Sequence, residues 1–295
     1  MEITQIGIIL MEEQVYSIGP LMKAARKFKK FNQADVARAI GCSQSALSKM
    51  EHNLLVPSAP QWFLFARFTS IPPETLETGV IDRRSKVKLN NDEVSLGFKI
   101  PKRYRHFRAQ KVREIYPFLT YLDKKLGTES VKRLTDMTEL ESEFFLDFDN
   151  LINFQLFVDV VKFLISEGKN SLEDIKEMVE IGQDEVYWDN YGMELRKFDS
   201  TESLLEEYAE EQIFYQSDFQ LKVESNAGKI IMSYFPEYHL KQVASSINPE
   251  IVEFINLYRA QTLESLVKRR TTKEVKAVLL QETHSSPLGA RFEIT

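Results

Sequence analysis

The sequence has few cysteines and histidines and no long apolar run, and each shortage excludes a class of protein. The single cysteine among 295 residues excludes an internal disulfide framework and a cysteine-rich zinc site. The four histidines show no metal-binding spacing, so we expect neither a metal nor another cofactor. No apolar run approaches the roughly 20 residues of a membrane span, and the first residues lack the basic region of a signal peptide. We therefore expect a soluble cytoplasmic protein without membrane contacts.

The motifs of the common enzyme classes are absent as well. The chain contains no P-loop, no glycine-rich dinucleotide fingerprint, no paired-histidine zinc motif and no nucleophile elbow. The stretch EFFLDFDNLINF, residues 143–154, is rich in acidic and aromatic residues. We interpret it as a helix-turn-helix core boundary and not as a pair of catalytic carboxylates. The sequence therefore predicts a protein that is not an enzyme.

The formal net charge of -6 conceals an uneven distribution along the chain. Residues 20–113 contain 19 Lys and Arg against 7 Asp and Glu, whereas residues 114–295 contain 19 against 34. A protein that binds a polyanion needs positive charge where it binds and not over its whole surface. The basic third is therefore compatible with a nucleic-acid partner, and the acidic remainder indicates a different role for the rest of the chain.

Residues 20–78 show the apolar periodicity of a small helical domain. Within it, the stretch NQADVARAIGCSQSALSKMEHN, residues 32–53, predicts two short helices joined by a tight turn at Gly41. Ser43 stands where the cap of the second helix is expected. The outward residues of that helix are all polar and all able to donate hydrogen bonds: Gln44, Ser45, Ser48 and Lys49. Such a face suits a helix that lies in the major groove of DNA.

These residues resemble the Cro/C1-type helix-turn-helix family, the phage-repressor-like domains. The matching positions are Gln33, Ala37, Ile40, Gly41, Ser43, Gln44, Glu51 and Pro57. The resemblance implies that Gln33 contacts phosphate and supports Gln44, which reads adenine, with Ser45 as a further base contact. The family usually has a glycine shortly after the position of Glu51. This chain has His52-Asn53 there, and we expect Asn53 to adopt the left-handed conformation instead.

Positive charge beside the motif predicts contacts with phosphates. Lys23 and Lys27 belong to the basic segment LMKAARKFKKF, residues 21–31, which precedes the motif. The predicted DNA-binding set is Gln33, Ser43, Gln44, Ser45, Ser48, Lys49, Lys23 and Lys27. A second basic run, residues 99–113, has two interpretations, a further phosphate contact or a solvated helix face, and we favour the solvated face.

The rest of the chain predicts a mixed domain. An arm (1–19) precedes the helix-turn-helix domain (20–78), residues 79–101 form a linker or short irregular hairpin, and residues 102–295 form the larger domain. In that domain helices come first, including a helix through the basic segment RYRHFRAQKVREI, and a β-hairpin, a long helix and two strands follow. We predict a mostly α fold, with an N-terminal lambda-repressor-like domain and a C-terminal α+β effector or dimerisation domain.

The function predicted from these features is sequence-specific DNA binding by a transcriptional regulator. A single recognition helix contacts few base pairs, so we expect a homodimer on double-stranded DNA with a palindromic operator. The C-terminal domain would dimerise, or sense a small-molecule, peptide or protein effector, or do both. An alternative is a protein-interaction or antitoxin-like module that uses the helix-turn-helix domain mainly for partner contact.

Overall fold

The computed structural model describes residues 18–71, 75, 79–81, 86–95, 97–183, 198–226, 228–240, 247–271, 273–282 and 286–295. The chain divides into two units whose sequence segments alternate. The first contains the described residues of 1–85, 92–101 and 139–150, and the second those of 86–91, 102–138 and 151–295. The predicted arm lies almost wholly outside the described residues.

Helices build most of the first unit: α1 over residues 18–28, α2 Gln33–Ala39, α3 Gln44–Glu51 and α4 Ala59–Thr69. The last three begin at capping side chains that accept a backbone hydrogen bond, namely Asn32, Ser43 and Ser58. Apolar residues at helical spacing form the core. On α4 this core includes Trp62 and Phe65, whereas Phe63 on the same helix is 60% exposed.

Two later segments of the chain complete the first unit. Strands β1 Val94–Ser95 and β2 Phe98–Lys99 pair as an antiparallel hairpin, which is one of the two structures predicted for this region. A 3-10 helix, Ser142–Leu146, supplies Phe144, whose ring meets that of Phe98 edge-on at a centroid distance of 5.8 Å. Both rings are buried, so the acidic and aromatic stretch contributes to a core.

The described part of the second unit contains helices α5 Tyr116–Leu126, α6 Thr128–Thr138, α7 Phe154–Ser166, α8 Leu172–Gly182, α9 Thr201–Glu211 and α10 Pro249–Thr271. Strands β3 Arg108–Lys111 and β4 Leu151–Asn153 form an antiparallel pair. Strands β5 Phe219–Asn226, β6 Lys229–Pro236, β7 Ala277–Glu282 and β8 Ala290–Ile294 form an antiparallel sheet in the order β5-β6-β8-β7. Within the described ranges, every helix is too short or too polar to cross a lipid bilayer.

This architecture confirms the predicted fold class, including the hairpin, the long helix and the two final strands of an α+β domain. The helix predicted through the basic segment 103–115 is wrong. The segment forms the end of one 3-10 helix, Lys102–Tyr104, then β3 and a second 3-10 helix, Val112–Glu114. The preference for a solvated face is also wrong for β3, where Arg108 is fully buried. Its guanidinium donates hydrogen bonds to the side chain of Asn90 and the carbonyl of Leu151. These partners are distant in sequence, so local helix propensity does not decide the structure.

Candidate nucleic-acid interface

The turn between α2 and α3 has the geometry that the sequence predicts. Gly41 has a φ of +71°, a conformation that side chains with a Cβ rarely adopt. The hydroxyl of Ser43 then accepts a hydrogen bond from the backbone N–H of Ala46 at 3.1 Å and so caps α3. Leu47 and Met50 are buried on the inner side of α3. These anchors fix which side of the helix faces solvent.

The outer side of α3 is polar and accessible. Gln44, Ser45 and Lys49 are exposed, as is the cap residue Ser43, and Ser48 is half-buried. Amide and hydroxyl groups on an exposed helix face are able to pair with base edges, and an amide matches adenine in two places. The structure therefore brings five of the eight predicted DNA-binding residues together on one surface: Ser43, Gln44, Ser45, Ser48 and Lys49.

Gln33 lies at the start of α2 and takes part in a hydrogen-bonded network centred on Glu51. Its Nε2 donates to Oε2 of Glu51 at 2.9 Å. Arg26 binds the same carboxylate with two nitrogens, Nε at 2.5 Å and Nη2 at 2.9 Å, and its Nη1 donates to the carbonyl of Phe31. Glu51 is only 3% exposed, so this network joins α1, α2 and α3 around a buried charge.

Lys23 and Lys27, the predicted phosphate contacts on α1, form ion pairs within the first unit. The Nζ of Lys23 lies 2.6 Å from Oε1 of Glu143, and the Nζ of Lys27 lies 2.7 Å from Oε1 of Glu141. Burial lowers the pKa of Lys23, but its hydrogen bond to Glu143 and the charge of that carboxylate outweigh this effect and leave the pKa raised. A phosphate must therefore compete with these carboxylates, and the assignment of both lysines to DNA stays a prediction.

Asn53 follows α3 at the position where the family usually has a glycine. Its φ is +56°, so asparagine supplies the left-handed residue, as we expect from the sequence. Its side-chain oxygen also accepts a hydrogen bond from the backbone N–H of Gly19 at 2.9 Å. The departure from the family pattern therefore preserves the turn and ties α3 to α1. The link to Gly19, like the Arg26–Glu51 pair, has no signal in the sequence.

Comparison with known families agrees with this geometry. Residues 22–76 match the family model described as helix-turn-helix. These residues are a helix-turn-helix domain. The match confirms the resemblance to Cro/C1-type domains and supports a DNA-binding regulator, while it leaves the second unit unassigned. No curated protein matches the chain.

Solved structures with some likeness to this chain include H-NOX proteins. One is the crystal structure of an Fe(II) unliganded H-NOX protein from K. algicida, with 15% identity over 63% of this chain and 95% of that one, at a TM-score of 0.47. A doubly substituted Tt H-NOX has 13% identity over 62% of this chain and 92% of that one, at a TM-score of 0.40. At this level of similarity, neither a fold family nor a ligand transfers to this chain.

Side chains of the types that bind metals are present in the described ranges. No group of three or more His, Cys, Asp and Glu side chains there is arranged to hold a metal ion. Cys42 is half-buried beside the turn, and burial raises the pKa of its thiol. A raised pKa disfavours the thiolate, which is the reactive and metal-binding form.

Proposed function

We propose that the protein is a cytoplasmic, sequence-specific transcriptional regulator and not an enzyme. The observation that carries the proposal is the outer face of α3, which presents Gln44, Ser45 and Lys49 to solvent while Leu47 and Met50 are buried. Exposed polar side chains near the start of a recognition helix are the groups that reach base edges in helix-turn-helix complexes. Gln44 reads a base, and Lys49 contributes positive charge toward the phosphates.

Binding to DNA is tested with the full chain and a duplex selected from a random pool. Gln44→Ala should weaken binding by about 1–3 kcal/mol, roughly 5- to 150-fold, and relax the preference at one base pair. Gln220→Ala is the matched control, since Gln220 is an exposed glutamine in the second unit. Fluorescence anisotropy over a salt series measures both variants. Unchanged affinity and base preference for Gln44→Ala would reject the proposed docking of α3.

The same salt series separates the regulator from its alternative, a protein-interaction or antitoxin-like module. Neutralised phosphates release counterions, so the logarithm of the association constant for DNA should fall linearly with the logarithm of salt concentration. A partner-binding module that does not dock on DNA would show no such dependence and no selected sequence. A slope near zero with every duplex would favour the alternative.

Dimerisation forms part of the proposal, because one recognition helix reads too few base pairs for useful specificity. The apolar residues of α10, including Ile251, Phe254 and Ile255, are buried within the second unit and offer no surface to a partner. Strand β7 is an edge of the sheet, and its Val278 and Leu280 are 50% and 47% exposed. An exposed apolar edge is a template for strand pairing, and we assign it to a second copy in a two-fold dimer.

Sedimentation of the full chain at micromolar concentration tests this assembly. The protein should sediment as a dimer, and the double variant Val278→Glu with Leu280→Glu should sediment as a monomer, because opposed carboxylates repel across the paired strands. Val94→Glu is the control, since Val94 is 48% exposed on a strand of the first unit. A monomeric wild-type protein, or a double variant that remains dimeric, would remove β7 from the proposal.

A further inference from the structure

A cavity of about 140 Å³ lies inside the second unit. Residues from α5, α7, α9, α10, the strands β3, β5 and β6, two 3-10 helices and the C-terminal end of α8 line it. An engineered protein cavity of about 150 Å³ that is lined by apolar residues holds one benzene molecule. The volume here therefore corresponds to a ligand of about one six-membered ring.

Aromatic side chains form much of the cavity wall. The rings that line it are those of Phe154, Phe157, Tyr208, Tyr215, Phe219, Tyr234 and Tyr258. Phe154 stacks on Phe157 at a centroid distance of 5.6 Å and meets Phe219 edge-on at 5.9 Å. Rings that already pack on one another form a pre-ordered wall, which suits a flat apolar ligand body.

Arg259 on α10 places a cation in the same cavity. Its guanidinium carbon lies 4.4 Å from the ring centroid of Phe219 and 4.6 Å from that of Tyr234. Nη1 donates to the carbonyl of Leu288 at 2.8 Å. Burial lowers the pKa of Arg259 to about 10, so the side chain still carries its charge at neutral pH.

No carboxylate among the described residues forms an ion pair with Arg259, although the side chain is only 8% exposed. Burying a charge without a counter-charge is costly, and proteins avoid it unless another group compensates. Aromatic rings and one carbonyl supply part of that compensation. A guanidinium fork that faces a cavity is well matched to the two oxygens of a carboxylate.

Two buried amides add hydrogen-bond acceptors to the cavity. The side-chain oxygens of Gln110 and Gln183 are inaccessible to bulk water, and neither has a hydrogen-bond partner among the described residues. A buried acceptor without a donor costs roughly 1–3 kcal/mol, so such groups are rare without a reason. A ligand that carries a hydroxyl or amino group beside its ring would satisfy them.

We propose that this cavity binds a ring-sized organic carboxylate, with Arg259 as the partner of its carboxylate and the aromatic wall as the contact for its ring. The described residues of the lining include no His, Cys or Met, so they offer none of the usual nitrogen and sulfur ligands of haem iron. A cavity that holds one ring is also too small for the four-ring macrocycle of a porphyrin. The inference deepens the proposed function by naming the chemical class of an effector, and its test needs no DNA.

Isothermal titration of the full chain with benzoate, 4-hydroxybenzoate and phenylacetate tests the proposal, with benzamide, 4-hydroxybenzamide and phenylacetamide as their neutral counterparts of the same shape. We expect at least one carboxylate to bind at least tenfold more tightly than its amide, because a charge-assisted hydrogen bond contributes about 1.5–3 kcal/mol. The hydroxylated acid should bind more tightly than benzoate, since its hydroxyl reaches Gln110 or Gln183. Equal binding of acids and amides, or no binding of any acid, would overturn the proposal.

Arg259→Gln should remove the preference for acids over amides, and Arg259→Lys should retain part of it. Arg291→Gln is the matched control, because Arg291 belongs to the same unit and its side chain is 43% exposed. Circular dichroism checks that each variant folds. If Arg259→Gln does not fold, the comparison of acids with amides on the wild-type chain tests the proposal. A folded Arg259→Gln protein that still prefers acids would reject Arg259 as the partner. If the wild-type chain binds acids but no DNA, the proposed regulator function is rejected and the proposal for the cavity is retained.

Discussion

The two units surround a buried charge with different kinds of partner. In the first unit, the carboxylate of Glu51 is nearly inaccessible, and two nitrogens of Arg26 and the amide of Gln33 bind it. In the second unit, the side chain of Arg259 is also buried, yet the contacts of its guanidinium are two rings and one carbonyl. One charge is satisfied by its own chain, and the other has no acidic partner in the described structure.

This difference separates a structural role from a binding role. Neighbouring groups neutralise the charge of Glu51 and donate hydrogen bonds to it. Such a charge holds the elements that carry these groups in place, and here it fixes the orientation of α3. A charge that lacks a counter-charge and faces a cavity is free to take one from outside the chain. The network in the first unit therefore holds one geometry, whereas the ligand proposed for the second unit would supply the missing counter-charge.

The largest expected effect comes from opening the network in the first unit. Arg26→Met leaves the carboxylate of Glu51 buried without its cation, which should lower the free energy of unfolding by about 3–5 kcal/mol. Urea denaturation of the full chain measures it. Arg38→Met is the control, because Arg38 is 79% exposed and pairs with Asp35 at the surface, where such pairs contribute at most about 1 kcal/mol. Equal losses of unfolding free energy for both variants would show that the Glu51 network does not hold α1, α2 and α3 together.

The second-largest expected effect is a dependence of stability on pH that comes from Glu114, which lies in the wall of the cavity. Burial raises the pKa of its carboxyl to about 7, although the charges of Arg113 and Lys111 oppose this and Asp218 adds to it. The folded protein therefore binds a proton that the unfolded chain releases near pH 4.5, so stability is highest below that pH and falls as the pH rises to about 7. The loss should be on the order of 3 kcal/mol.

Comparing the wild type with Glu114→Gln isolates this contribution from all other titrating groups. Glu114→Gln should flatten the fall in stability between pH 5 and pH 8, as measured by urea denaturation across roughly that range. An ionised Glu114 should also repel a carboxylate ligand, so acid binding should weaken over the same interval in the wild type and not in the variant. Parallel pH profiles for the two proteins would show that Glu114 keeps an ordinary pKa.

The smallest expected effect tests whether the ion pairs of α1 restrain DNA binding. Glu143→Gln removes the nearer carboxylate, 2.6 Å from the Nζ of Lys23, and leaves that of Glu141 at 3.6 Å, so the ammonium becomes more available to a phosphate. Affinity for the selected duplex should rise a few-fold, and the salt dependence should steepen by about one unit of slope. Glu129→Gln, on the exposed face of α6, is the control. No change in slope would remove Lys23 from the DNA-binding set.

The helix-turn-helix domain was predictable because its signals are local. The inner face of α3, the cap at Ser43 and the turn at Gly41 all depend on residues within a few positions of one another. The pairing of Arg26 with Glu51 was not predictable in the same way, because it joins residues 25 positions apart on two helices. The sequence pattern does not distinguish Arg26 from the other basic residues of α1.

Strand β3 and the cavity show where local reasoning fails. The segment RAQK of β3 has no apolar alternation, and its burial depends on partners in β4 and at Asn90. Arg259 lies in a helix with many charged residues, where a solvent-facing role is the ordinary interpretation. The cavity that surrounds it combines side chains from residues 110 to 262, so no stretch of sequence carries its signal.

The alternation of the two units along the chain has a consequence for synthesis on the ribosome. The acidic partners of Lys27 and Lys23 lie 114 and 120 positions later in the sequence. At roughly 5–20 residues per second, these carboxylates are made about 6 to 24 s after the lysines. During that interval the nascent helix-turn-helix domain carries the charges of Lys23 and Lys27 without their intramolecular partners. The emerging chain is therefore at its most basic, and most exposed to the surrounding nucleic acids, before residues 139–150 have left the ribosome.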